Sequence, residues 1–175
     1  KKFLQYFIKF FVSFFCKLDD HDEIIISSAT HSPWLKDKKF YIFFDKIKNY
    51  TLLDYPRAYT LWQCVNNVSK INGMILDIGC LLGGSGFIMS KANKNGTVHL
   101  FDSFTGFKKD DGLHKKDVFF YDNIDFVRKN IKKLKLRNTY VQKDYFHKNI
   151  KVKVKKIKLC HIDVNTYDDK KNIFN

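Results

Sequence analysis

Proline, arginine and cysteine are scarce in this chain, and each scarcity excludes something. Proline occurs only at Pro33 and Pro56 among 175 residues. With no Gly/Ser tract and no internal repeat either, the sequence excludes a stiff linker, a low-complexity segment and a repeat array. Arginine is confined to Arg57, Arg128 and Arg137, whereas base-reading surfaces rely on it. The cysteines are Cys16, Cys64, Cys80 and Cys160. They form no CxxC pair and lie near no histidine at metal-ligand spacing, which argues against a zinc site or a disulfide framework. Reduced thiols in a cytoplasmic protein are the simplest account. No apolar run approaches the roughly 20 residues of a spanning helix. The opening KKFLQYFIKFFVSFF is interrupted by Lys9 and followed by no small-residue cleavage site, so it reads as an aromatic-rich helix rather than a leader. Packing on the domain or a partner is its plainer role, and contact with a membrane surface is the alternative.

What is present is a globular composition: 45% hydrophobic and 17% aromatic, with 18 phenylalanines. The length suits one domain with a real core. The formal charge is +14, from 32 Lys+Arg against 18 Asp+Glu. Such a balance attracts polyanions in general. Here Lys, Asn, Ile and Phe are abundant together and the basic residues are spread out, apart from a concentration at Lys148–Lys158. We read nucleotide bias in preference to a nucleic-acid footprint.

The pattern along the chain predicts a helix over 1–18, a mixed stretch over 19–36 with Glu23–Ile26 able to extend, and a helix over 38–49. Asp54 caps the next helix, with Pro56 in its first turn and Leu61, Cys64, Val65 and Val68 on its apolar face. After the turn signal Asn72-Gly73 the pattern changes. Met74–Ile78 reads as a buried strand, Ser85–Ala92 as a helix and Thr97–Phe101 as a strand ending in Asp102. Ile124, Val127, Ile131 and Leu134 mark a helix face. Thr139–Gln142 and Ile157–Ile162 read as further strands. This alternation predicts an α/β fold, a Rossmann-like parallel sheet. The expected division is an N-terminal helical extension or lid over 1–51 and a Rossmann-like domain over 52–175.

The chemistry gathers at Asp77-Ile-Gly79-Cys-Leu-Leu-Gly83-Gly84-Ser85, a glycine-rich turn between a strand and a helix. Glycines let the backbone turn sharply and a ligand approach, and the helix start offers unpaired N–H groups to a phosphate or a carboxylate. Tight helix–strand packing produces the same pattern. Asp77 would accept hydrogen bonds from an ammonium group. Asp102, 25 residues on, sits where a doubly wound fold binds ribose hydroxyls; a loop carboxylate is the plainer alternative. Together the two signals favour nucleoside binding.

Several segments in order resemble the macrocin O-methyltransferase family: Asp54-Tyr-Pro-Arg57, Leu76-Asp-Ile-Gly-Cys-Leu-Leu-Gly-Gly-Ser85, Phe101-Asp-Ser-Phe-Thr-Gly106 and His161-Ile-Asp-Val-Asn-Thr-Tyr167. Asp144-Tyr-Phe146 falls where that family has a glycine-aromatic-Phe segment. The resemblance runs from about Leu52 to the end. It implies a class I fold with S-adenosylmethionine as methyl donor and a sugar hydroxyl, on a glycan or a glycosylated metabolite, as acceptor. By position, Gly79, Gly83, Gly84 and Ser85 would line the methionine end. Asp102 and Ser103 would meet the ribose, and Asp144 and Tyr145 would lie near adenine. Asp163 would be catalytic through a divalent metal, usually magnesium. The second acidic position of the family's Asp-x-Asp is Asn165 here, a poor base; Asp168 or His161 would have to substitute. The family also continues into further strands with another metal-binding Asp pair, whereas this sequence ends at Asn175. A C-terminally truncated chain or fragment is therefore expected. An RNA methyltransferase and an inactive remnant or binding module are the rival readings, and a homo-oligomer is compatible with the sequence.

Overall fold

The computed structural model of the chain describes residues 2–15, 31–106, 124–143 and 156–164. The chain divides into two compact units, Lys1–Ser32 and Pro33–Asn175.

In the first unit the described element is helix α1, Lys2–Ser13. Phe14 and Phe15 continue it as a turn, donating from their N–H groups to the carbonyls of Phe11 and Val12. Rings four residues apart lie over one another, Phe10 with Phe14 and Phe11 with Phe15, each pair at 5.6 Å between centroids, as helical spacing dictates.

The second unit opens with a 3-10 turn, Pro33–Leu35, followed by α2 (Lys38–Ile47), which runs on as a second 3-10 turn to Tyr50, and α3 (Tyr55–Asn67). Both starts are capped by aspartate. Asp37 accepts from the Phe40 N–H at 3.1 Å and Asp54 from the Arg57 N–H at 2.9 Å; each side chain satisfies a donor that the helix cannot. That bond leads the causes holding the Asp54 carboxyl below its usual range. Phe40, Phe43, Phe44 and Ile47 recur at helical spacing and are all buried. Residues 33–51, grouped with the N-terminal extension on sequence alone, thus belong to the second unit and its core.

The sheet holds β1 (Met74–Ile78), β2 (Val98–Asp102), β3 (Thr139–Lys143) and β4 (Ile157–Ile162), in the order β3-β2-β1-β4 and all parallel. This is an α/β fold compatible with a Rossmann-like arrangement. Helix α4 (Gly84–Ala92) links β1 to β2, and α5 (Ile124–Lys133) precedes β3. One sheet face gives Ile75, Val98 and Leu100 to a single cluster with Phe40, Phe44, Val65, Phe87 and Val127. Leu76, Ile78 and Phe101 alternate with these and are equally buried, as expected of a sheet covered on both faces. Buried Thr139 donates to Ser90 at 2.7 Å, joining β3 to α4.

β4 is fastened near both ends. The Lys158 ammonium donates to the Asn93 side chain and the Asn95 carbonyl at 2.8 and 2.6 Å, and His161 pairs with Asp77 at the other end. Among the described residues β3 and β4 are the outer strands, and no helix is long and apolar enough to cross a membrane.

Candidate functional site

The strand order changes direction at β1. From there the chain adds β2 and β3 on one side and then places β4 on the other. In open parallel sheets, ligands bind at such a switch point, beyond the carboxyl ends of the strands. Those ends carry Asp77, Asp102, His161 and Asp163.

Asp77 is fully buried. Its Oδ2 accepts from the Ser85 hydroxyl at 2.8 Å, and its Oδ1 lies 2.8 Å from His161 Nδ1. Both oxygens are therefore engaged inside the protein, and a ligand ammonium would have to share them. Asp77 instead joins three elements: β1, the start of α4 and β4. The neighbouring Cys80 thiol is held well above its usual pKa by burial first, then by the Asp77 and Asp102 charges. It is an inert core thiol rather than a nucleophile. Cys64 and Cys160 are free thiols as well.

The turn after β1 reads residue by residue. Gly79 and Gly83 both have φ of +89°, a conformation that favours glycine. A side chain on Gly79 would also strike the Asp163 carbonyl, so this glycine lets the ends of β1 and β4 close on each other. Gly84 has a different reason to be small. A Cβ there would collide with the Tyr50 carbonyl and Thr51, so the segment after α2 packs on the first turn of α4. Close packing thus accounts for part of a pattern that sequence alone ascribes equally to ligand approach. Gly83 caps α4 without a side-chain hydrogen bond. Among the described residues the N–H groups of Gly84, Ser85 and Gly86 have no partner, although all three residues are buried. Such a helix start carries partial positive charge and unspent donors.

Asp102 ends β2 beside this turn. Its Oδ2 accepts from the Leu81 N–H at 2.7 Å and its Oδ1 from the Phe104 N–H at 2.8 Å. Leu81 and Phe104 both have positive φ, 49° and 53°, so the carboxylate holds two strained loops together. Burial, opposed by these hydrogen bonds, raises its pKa. Each oxygen keeps a lone pair for a hydroxyl donor. Ser103 turns toward its own loop and accepts from the Thr105 N–H and hydroxyl at 3.3 and 3.1 Å.

His161 is the residue whose role the sequence left open. It lies opposite Asp77 in the β1–β4 register, and its side chain keeps 22% of its surface exposed. Burial lowers its pKa, but the Asp77 hydrogen bond and the charges of Asp77 and Asp163 outweigh that and raise it. The Asp77 carboxylate fixes one ring nitrogen, and among the described residues nothing holds the other, which can serve external chemistry. No spacing rule could have found this pair, because the two lie 84 positions apart and are brought together only by strand register.

Asp163 is exposed, and its backbone N–H donates to the Ile78 carbonyl at 2.9 Å. Among the described residues no three His, Cys, Asp or Glu side chains gather as metal ligands. Magnesium keeps several of its waters and is commonly held by one or two carboxylates, so Asp163 is the described residue that would hold it. Asp144, Tyr145, Asn165 and Asp168 lie outside the described residues. No protein-family model matches the chain, and no curated protein matches it.

Proposed function

We propose that the chain binds S-adenosylmethionine as a class I methyltransferase, an enzyme that moves a methyl group from that cofactor to a hydroxyl. The observation that carries this reading is the buried first turn of α4, with its unpartnered N–H groups, set beside Asp102 at the switch point of a parallel sheet. An amino-acid carboxylate suits that turn, and two ribose hydroxyls suit an acidic side chain at the end of β2. The sugar acceptor and the family rest on the resemblance of Asp54–Arg57, Leu76–Ser85, Phe101–Gly106 and His161–Tyr167.

When bound, S-adenosylmethionine supplies an electrophilic methyl carbon open to in-line attack. The chain's own residues bind and orient. The α4 N–H groups take the carboxylate, Asp102 takes the ribose, and Asp77 keeps β1, α4 and β4 in register through Ser85 and His161. His161, oriented by Asp77 at the edge of the site, is the described group best placed to receive a proton from an acceptor hydroxyl. No step is assigned to a metal.

Calorimetric titration with S-adenosylmethionine tests the cofactor, using wild type and Asp102→Asn, which retains an acceptor for one of the two loop contacts. Micromolar binding that falls at least tenfold in the variant is expected. A folded wild type that binds neither S-adenosylmethionine nor its demethylated product would overturn the reading.

A second reading, RNA methylation, has one observation in its favour. A cavity of about 420 Å³ is lined by Lys46, Lys91, Lys133 and Lys135 with Phe43, Tyr50 and Leu134. Lys46, Lys91 and Lys133 stand in the last turns of α2, α4 and α5, where cations complement the helix dipole without any ligand. Salt-sensitive RNA binding that Lys133→Glu weakens would favour this second reading.

A further inference from the structure

Helix α1 exposes its aromatic residues. Phe3 is 85% exposed, Phe7 59%, Phe10 65% and Phe11 61%. At about 100° per residue these four rings share one side of the helix, and with Ile8 and Val12 the apolar arc widens to about 200°. Lys9 and Ser13 stand on the opposite side. A packing partner in a globular protein covers a stripe about half as wide.

Within residues 1–18 the charge has one sign, and the acidic run Asp19, Asp20, Asp22 and Glu23 follows it. Lys1, Lys2, Lys9 and Lys17 precede the first acidic residue, Asp19. Two copies of such a segment repel one another, whereas an anionic surface attracts it. At 12 residues the helix is about 18 Å long, well short of a hydrocarbon core of roughly 30 Å. It has the length and the sidedness to lie on a bilayer rather than to cross it.

We propose that α1 docks on the surface of anionic phospholipid bilayers, with its phenylalanines in the headgroup–acyl boundary and its lysines among the acidic headgroups. This docking is independent of the methyl-transfer reading. It would hold the sheet-bearing unit near a membrane.

The test is flotation of the 175-residue chain with phosphatidylcholine vesicles, with and without phosphatidylserine. Binding is expected to the anionic vesicles alone and to weaken with added salt. Lys9→Gln should lower the partition coefficient about fivefold, and Phe7→Glu with Phe11→Glu by at least about tenfold. Because glutamates could also unwind the helix, a second measurement uses Phe10→Trp, whose emission should shift to the blue when anionic vesicles are added. Absence of flotation and of that shift would overturn the proposal. So would binding indifferent to both sets of variants. A dimer in light scattering that the glutamate variant converts to monomer would also overturn it, and would make a second copy of the chain the occupant.

Discussion

Helices α1 and α2 use nearly the same residues to different ends. Both are built of phenylalanine, tyrosine, isoleucine and lysine. In α2 the apolar side chains at 40, 43, 44 and 47 are all buried. Phe40 has ring contacts with Phe44, Tyr59 and Trp62 at 5.0–5.7 Å, and Phe43 carries the Lys91 ammonium over its face at 5.6 Å. In α1 the phenylalanines face outward and pair with each other along the helix. Helical spacing makes both amphipathic, but it does not name what covers the apolar side. The apolar side of α2 lies in the common core with residues of α3 and α4, whereas the rings of α1 are exposed.

Removing the central ring of the buried stripe should have the largest effect. Phe40→Ala should cost about 3–5 kcal/mol in denaturant unfolding; a loss under about 1 kcal/mol would mean that α2 is not docked as described. Next comes the contact between the segment after α2 and the start of α4. Gly84→Ala sets a Cβ against the Tyr50 carbonyl and Thr51, and should cost about 1–3 kcal/mol and weaken S-adenosylmethionine binding with it. Removing the α2 cap by Asp37→Ala should cost about 1 kcal/mol, read as a lower melting temperature.

The pH dependence belongs to the second unit. The folded-state pKa of His161 is raised above the usual 6.5. Its stabilisation is therefore complete below that value and lost as pH rises through the folded-state pKa. Melting curves across that window should show stability falling with pH. Asp77→Asn should flatten the slope, and no α1 variant should alter it. The smallest effect belongs to α1. Phe10→Ala should leave unfolding of the second unit within about 0.5 kcal/mol of wild type, while weakening vesicle binding.

Much of the fold was legible from local chemistry. Asp54 with Pro56 marked the start of α3, the run Met74–Ile78 marked β1, and the four apolar positions from Ile124 marked α5. These signals are local, because capping, turn chemistry and periodicity act within a few residues. The end of α2 was less legible. The sequence suggested a helix to 49, but the backbone tightens into a 3-10 turn after Ile47, and Tyr50 packs between Phe87 and Phe126. That change follows from distant rings.

The site divides in the same way. The sequence by itself determined that Asp77, Gly79, Gly83, Gly84, Ser85, Asp102 and Ser103 cluster at a strand–turn–helix and the end of the next strand, because turn geometry demands those residue types. Only the tertiary structure decided that Asp77 is consumed by Ser85 and His161, that Gly84 is small for the sake of Tyr50 and Thr51, and that Asp102 bridges two strained loops. Those outcomes depend on which strands are neighbours and in what register, and long-range pairing leaves no periodic trace along the chain.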